Sequence, residues 1–412
     1  MQSARIADCA VIGTGAAGLA AALALAGEGL RTLVIGPAMP VDTARDPRTT
    51  ALFSGSVAFL GHLDVWRHLE PAAEPLVGLR LIDDTGGILR APEVLFRAQE
   101  VGLPAFGYNI ENSALLHGLH ERVRAAGNLC LVPDAVTALA IAGDHADVTL
   151  AHGAPVRSRV VVAADGRKSL IRASARIATR NWAYPQSAIA ARFHHARPHG
   201  GISTEFHRSA GPLTTVPLAG NASSLVWVEE PAETARLMEL PPDRFAHELE
   251  RRLQGLLGTI SQLGARAAFP LSGLAAERMT GPRVALVGEA AHVLPPIGAQ
   301  GLNLGLRDAA TLAEVLGDAG AAGDPGGDAP LAEYARRRRA DVVSRTIAVD
   351  LLNRSLISGL VPLQLARGAG LHMLDSIAWL RRLVMQEGLQ PSWEVPRLMR
   401  AAGLGAPRAA RP

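Results

Sequence analysis

The sequence predicts an α/β fold: a Rossmann-like dinucleotide-binding domain, an inserted antiparallel-sheet domain and a C-terminal helical region. Three stretches carry this expectation. RIADCAVI, GTGAAG, LAAALALAGEG and RTLVIG follow one another between residues 5 and 36; period-two text from 181 to 230 interrupts the α/β pattern; apolar helical text with interspersed arginines fills 341–402. With 412 residues, 48% of them hydrophobic, the chain can bury a large core shared by two closely connected domains.

The first stretch reads as a βαβ start, with strands at 5–12 and 31–36 around a helix that ends at Gly29. Gly13 permits a tight turn and Gly15 lets the backbone approach a pyrophosphate. Ala16 and Ala17 open the helix, and Gly18 lets it pack close to the sheet, so the helix N-terminus faces the phosphates. An acid for the ribose hydroxyls is expected about 20 residues on. Gly36 and Pro37 stand there instead, and either Asp42 or Asp46 substitutes from MPVDTARDPRTTAL or that loop is a plain solvated turn.

LRLIDDTGGILRAPEVLF at 79–96 predicts a hairpin turning at Asp84–Gly87, and a helix is expected at 111–126. In VVVAADGRKSLIRASA, a strand runs into the turn Asp165–Gly166 and a helix start carrying Arg167, Ser169 and Arg172. Asp165 can be a cap there, but arginines at a helix start suit an anion better than they suit the helix dipole. Residues 181–230 predict an antiparallel sheet that walls an apolar substrate. Tyr184, Glu205 and His207 are its candidate substrate contacts; each is equally a structural hydrogen-bond partner, and no catalytic base is assigned. His194, His195, His199 and His207 lack HxH or HExxH spacing, so no metal is expected.

A helical stretch at 233–258 precedes the strand RVALVG and the loop GEAAHVLPPIGAQG, which leads into the helix LNLGLRDAATLAEVL. Proline fixes φ and glycine admits close approach, so this stiff loop places backbone against a ligand at a second helix start. Residues 317–329 read as a flexible loop, and the arginine run 336–339 as a solvated helix face.

Composition excludes several classes. The net charge is +3 with one lysine, Lys168, and no basic stripe interleaved with aromatics, so nucleic acid is not a partner. Cys9 and Cys130 lie in predicted strands as small core residues of a reducing compartment. MQSARIADCAVIG has no secretory pattern, and Arg354, Pro362 and Arg367 interrupt the apolar C-terminal text; the expectation is a cytoplasmic protein, with peripheral contact at the inner membrane surface as the alternative. No GxSxG elbow or Walker loop appears.

Three motifs stand in fixed order: GxGxxG at 13–18, ADGxxSxxR at 164–172 and GEAAHxxxPxxxQGxNxxxxDA at 288–309. Over nearly the whole chain this arrangement resembles the class A FAD-dependent aromatic monooxygenases, the family of para-hydroxybenzoate hydroxylase. DPRTTAL at 46–52, TEFHRSAGPLTTVPL at 204–218, PIGAQGLNLGLRDA at 296–309 and RRADVVSRTIAVDLLNR at 338–354 look most like the ubiquinone-biosynthesis branch. The resemblance implies an FAD-binding domain of 1–75, 100–178 and 270–340, a substrate domain of 76–99 and 179–269, and a helical region of 341–412. It implies that Glu289, with Gly288 and Ala290 beside it in the cofactor shell, meets the ribityl chain through its acid, and that the proline-rich loop with Pro296 and Gly298 passes the isoalloxazine edge. The backbone around Gly301, Leu302 and Asn303 would support the ring's polar rim, with Arg48, Asp165, Gly166, Arg167, Arg172 and Gln300 completing the shell.

Glu289 departs from the family's Asp, displacing the carboxylate by about 1.5 Å. The implied chemistry is reduction of FAD by NADH or NADPH, reaction with O2 to a flavin hydroperoxide, and hydroxylation of a prenylated phenol, with other ubiquinone-biosynthesis proteins as possible partners. The rival readings are another flavoenzyme of this fold, such as a prenyl reductase or a halogenase, the latter lacking its WxWxIP stretch, and a flavin-binding accessory or scaffold subunit without turnover.

Overall fold

The computed structural model describes residues 5–38, 46–86, 92–357, 370, 372–374, 376–389 and 394–400. Parallel strands form the first sheet. β1 (Arg5–Ile12) lies between β2 (Thr32–Gly36) and β11 (Val156–Ala163), β8 (Leu129–Pro133) extends it beyond β2, and β19 (Val284–Leu286) extends it beyond β11. Antiparallel β9 (Val136–Ala142), β10 (His145–Leu150) and β18 (Thr280–Gly281) complete it. Strands buried on both faces must be apolar throughout, and Cys9, Ala10 and Val11 of β1 and Val160 to Ala163 of β11 are fully buried. Helix α1 (Ala16–Gly27) packs on this sheet against α4 (Asn112–Arg124) and α8 (Gln300–Ala322).

The second sheet runs β20 (His292–Val293), β17 (Ala267–Ala276), β12 (Thr179–His195), β15 (Ala222–Glu229), β14 (Leu213–Leu218), β13 (Ile202–His207), β5 (Gly78–Asp83), β6 (Val94–Arg97), with β16 (Ile260–Ser261) on β12. All its pairs are antiparallel except β13 with β5. Period two decides its faces. Ile189, Ala191, Phe193, Phe206, Leu213, Leu225 and Trp227 pack against Leu237 of α6 (Pro231–Glu239) and Phe245 and Leu249 of α7 (Pro242–Arg252). Their alternates, among them Glu205, His207, Thr214 and Ser224, face the other way.

A third sheet, β3 (Thr49–Phe53), β7 (Gly107–Glu111) and β4 (Glu74–Leu76), joins the two layers. Thr49 Oγ1 lies 2.7 Å from Ser224 Oγ, and Asn109 Nδ2 donates to Pro217 O at 2.8 Å. α2 (Ser54–His62), α3 (Trp66–Leu69), α5 (Leu170–Ser174), α9 (Asp328–Ile357) and α10 (Ala378–Leu389) complete the chain.

Some local expectations are corrected. The 233–258 stretch breaks into α6 and α7 at Leu240–Pro241, because Pro242 restarts the chain as a helix N-terminus. α8 continues through Ala322, so the loop expected from 317 begins later. β6 starts only at Val94, so the 79–96 hairpin has a longer connection than a turn at Asp84–Gly87; Gly87 itself lies outside the described residues. Cys130 is exposed, since alternation along β8 turns it to solvent, while Cys9 is buried and its thiol pushed up by that burial.

Candidate active site

The GTGAAG turn shows what its glycines are for. A Cβ on Gly13, at φ +122°, would lie 2.1 Å from Ala164 O, and one on Gly18 would lie 2.3 Å from Gly13 O. These contacts close β1, α1 and the Ala164–Asp165 turn onto one another. Gly15 instead faces open space, where a side chain would fill the approach to the helix. α1 has no side-chain cap and no acid in its first turn. Its leading N–H groups therefore offer positive partial charge to an anion. Ala16 and Ala17 form this first turn, and Ala17 packs 3.2 Å from the position of a Cβ on Gly288.

The loop quoted from 288 to 303 brings a second helix start alongside. Gly288, at φ +61°, and Gly305 of α8 touch backbone to backbone, a Cβ on Gly305 lying 3.1 Å from Gly288 Cα. Gly298 and Ala299 both take left-handed φ, +63° and +52°, and α8 opens directly after them with neither a capping side chain nor a first-turn acid. For alanine that conformation is costly, roughly 1–2 kcal/mol, and it leads into a helix start whose first amides, those of Gly301 and Leu302 among them, have no intrahelical acceptor. Pro296 lies in the stiff approach, and Glu289 is exposed in a turn of 3₁₀ helix between buried Gly288 and Ala290.

Side chains expected to line the flavin mostly hold this framework. Asn303 Oδ1 accepts from Phe53 N at 2.9 Å and Ser56 Oγ at 2.7 Å, while Nδ2 donates to Ala51 O and Ala299 O at 2.8 and 2.7 Å. Every polar capacity of that amide is engaged, so only its backbone is available to a ligand. Arg172 is buried and donates to Ala290 O and Arg167 O, both at 2.8 Å, joining the second motif to the third. Asp165 Oδ2 accepts from Leu170 N at 2.8 Å as a cap of α5. Arg167 is exposed, and Gly166 takes φ +79°.

Arg48 is held by Asp46, to which Nε and Nη2 each donate at 2.8 Å, and its guanidinium lies 5.3 Å from the Phe269 ring centre. Hydrogen bonding to Asp46, and less strongly the charge of Glu289, raises the Arg48 pKa. Asp46 is thus engaged, and Asp42 lies outside the described residues.

On the sheet face toward this framework, His207 Nε2 lies 2.9 Å from Glu205 Oε1, and Thr214 Oγ1 donates to Glu205 Oε2 at 3.2 Å. Both members of the pair are buried. Tyr184 is elsewhere: its hydroxyl donates to Asp350 Oδ1 of α9 at 2.5 Å and accepts from Trp182 Nε1 at 2.6 Å. Burial first, and then the bond to Asp350, push the Tyr184 phenol up to about 12. It is a tie between the sheet and α9.

A buried ionic cluster was not anticipated. Asp308 Oδ2 accepts from Gly288 N at 3.0 Å and lies 2.6 Å from His292 Nε2; Arg338 Nε donates to Asp308 Oδ1 at 2.7 Å and its Nη2 to Asp341 Oδ2 at 2.9 Å. Burial alone would raise the Asp308 carboxyl, but His292 and Arg338 outweigh it and hold it below the usual carboxylate range. Arg307 lies 3.1 Å from Asp341, and burial pulls its guanidinium down to about 10. The expectation of a solvated face at 336–339 is therefore corrected at Arg338, which is 2% exposed. The signal was present: Arg307, Asp308 and Glu314 are charges within the largely apolar run 304–316 of α8, all of it buried, which requires buried partners.

The residues fit FAD. Two uncapped helix starts converge, the glycine cradle is open at Gly15, and two buried acceptors, Gln300 Oε1 and Asp165 Oδ1, lack a partner among the described residues. FAD carries phosphates for a helix start and hydroxyl and ring N–H donors for such acceptors.

A dinucleotide cradle facing an antiparallel wall defines a flavin-dependent oxidoreductase. Comparison with known proteins makes the class specific. Residues 7–348 match the family model described as FAD binding domain. The chain is 37% identical to the ubiquinone hydroxylase UbiL of Rhodospirillum rubrum, covering 97% of this chain and 94% of that one. It is 31% identical to the 3-demethoxyubiquinol 3-hydroxylase of Escherichia coli, covering 93% and 98%. Among solved structures, p-nitrophenol 4-monooxygenase PnpA from Pseudomonas putida DLL-E4 shares the fold with a TM-score of 0.75 at 19% identity, covering 94% and 99%. Klebsiella pneumoniae HpxO, solved with FAD and uric acid, gives 0.71 at 19%, covering 93% and 97%. The chain belongs to the FAD-binding aromatic monooxygenases, in the group of the ubiquinone hydroxylases, and its cofactor is FAD.

Proposed function

We propose that this enzyme hydroxylates the aromatic ring of a prenylated phenol on the way to ubiquinone, with NADH or NADPH as reductant and O2 as co-substrate. The observation that carries the reading is an arrangement: the uncapped starts of α1 and α8 on one side and the antiparallel sheet on the other, in a chain whose ubiquinone hydroxylase relatives match 93–97% of its length. Bound FAD supplies electron transfer and oxygen activation.

The chain's own contributions are placement and exclusion. The first amides of α8 favour negative charge beside them. Gln300 Nε2 reaches Gly388 O of α10 at 3.4 Å, so the C-terminal helix shields the flavin loop. Glu205 and His207 form the polar spot on the sheet face and orient the phenol hydroxyl. Glu205→Gln should raise KM for the phenol about ten-fold with FAD content unchanged; an unchanged KM removes Glu205 from the substrate site.

The reading is tested by adding NADPH or NADH in air to the purified yellow protein, with and without a short-chain prenylphenol. Phenol-stimulated oxidation with hydroxylated product supports it. Flavin binding without stimulation by any phenol favours the accessory-subunit reading.

A surface feature supports peripheral contact with an anionic bilayer, where a polyprenyl substrate resides. Val343, Ile347 and Leu351 line one stripe of α9 at 48%, 53% and 61% exposure, and Trp379 and Leu383 of α10 add 65% and 47%, with exposed Arg354 and Arg382 nearby. No helix among the described residues is long and apolar enough to cross a membrane. Such a stripe with basic flanks suits an interface-lying helix. Flotation with phosphatidylglycerol vesicles should carry the wild type and not Leu351→Glu/Trp379→Glu; equal behaviour of the two proteins counts against the contact.

A further inference from the structure

The adenosine end of the flavin site departs from other dinucleotide folds. A carboxylate at the end of the second strand ordinarily takes the ribose hydroxyls, but β2 ends in Gly36. A Cβ on Gly36 would lie 3.0 Å from Thr14 Cγ2 and 3.2 Å from both Thr14 N and Thr14 Oγ1. The space that an acidic side chain needs here is already held by the threonine of the GTGAAG turn.

Thr14 is fixed in that space. Gly13 N donates to Ile35 O at 2.8 Å, locking the turn to β2, and Thr14 Oγ1 donates to Pro37 O at 3.0 Å. A hydroxyl has one proton and two lone pairs. With its proton on Pro37, Thr14 Oγ1 can only accept from a ligand, which is the part the missing carboxylate would play. Asp46, the first acid described after β2, is instead committed to Arg48, whose Nε, Nη2 and N all donate to it.

We propose that Thr14 and Gly36 are a matched pair that replaces the ribose carboxylate with a neutral acceptor, so that FAD is an exchangeable cofactor in this enzyme. The inference rests on FAD as the cofactor and is independent of the phenol's identity. Hydrogen bonds to a charged acceptor are roughly twice as strong as those to a neutral one, so the exchange weakens FAD binding about ten-fold.

The test is fluorescence titration of the apoprotein with FAD and, separately, with FMN. FMN lacks the adenosine monophosphate half of FAD, so a change in the ratio of the two affinities between wild type and variant reads the adenosine end, and retained FMN binding shows that a variant is folded. Thr14→Val should lower FAD affinity about five- to ten-fold and leave FMN unchanged. Gly36→Glu alone should give no gain, because its Cβ meets Thr14. The double variant Thr14→Gly/Gly36→Glu should bind FAD about ten-fold more tightly than wild type, with FMN unchanged.

An unchanged FAD-to-FMN ratio in Thr14→Val would overturn the proposal. So would Asp42→Ala collapsing that ratio while Thr14→Val is inert, which would locate a carboxylate in the following loop.

Discussion

The two sides of the site are built from different material. On the flavin side the groups left for a ligand are mainly backbone: an open glycine, two helix starts without caps, and a loop whose side chains bond to one another. Asn303, Arg172 and Asp308 join segments up to 252 residues apart and present little of themselves. On the substrate side the offering is side chains, Glu205, His207 and Thr214, on one face of a sheet whose other face is a packed core. A backbone site depends on its supports, whereas a side-chain site can change residue by residue with the scaffold intact. The difference teaches that mutations near the flavin should act chiefly through stability.

That contrast can be broken most severely at Arg338. Arg338→Met leaves Asp308 and Asp341 buried without their shared cation, and should cost about 3–5 kcal/mol by denaturant titration, with loss of flavin. A loss below 1 kcal/mol would mean that the cluster does not support the loop.

Next in size is Tyr184→Phe, expected to cost about 1–2 kcal/mol by removing the tie to Asp350 and Trp182. Its pH dependence has a definite sign. The folded pKa, about 12, lies above the ordinary 10.0, so this contribution is complete below pH 10 and is lost as pH rises toward 12. The wild type should lose more stability than the variant across that window in thermal melts.

A smaller effect of opposite sign is expected at Ala299. Ala299→Gly relieves the left-handed strain at φ +52° and should stabilise the protein by about 0.5–1 kcal/mol, read as a higher denaturation midpoint. The smallest effect sharpens the contrast on a single helix. Arg336 pairs with Glu333 and Glu394 at the surface, and Arg336→Ala should leave the midpoint unchanged, two residues from the largest effect in the series.

What the sequence revealed follows the same division. The glycine turn, its flanking strands and the stiff loop before α8 were legible because glycine and proline record backbone demands locally. The α8 start was legible as an anion-facing helix end for the same reason. The roles of Asn303, Arg172 and Arg338 were not, because their partners lie 118 residues away for Arg172 and Ala290, or 30 for Arg338 and Asp308, and are fixed only by the fold. Tyr184 was legible as a polar group on the sheet, but its partner Asp350 is on a helix that the sequence left as an undivided apolar region. Glu205 and His207, two apart on one strand, do share a face by period alone. Their mutual hydrogen bond is the part that only the structure supplies.

The central claim, that this site delivers one atom of O2 to an aromatic ring, is tested most directly by turnover under ¹⁸O2 with FAD, NADPH and a short-chain prenylphenol. The account predicts a hydroxylated product carrying one ¹⁸O atom, formed only when FAD and reductant are both present. Product labelled from water, or reductant oxidised with no labelled phenol across the prenylphenols tried, would contradict it.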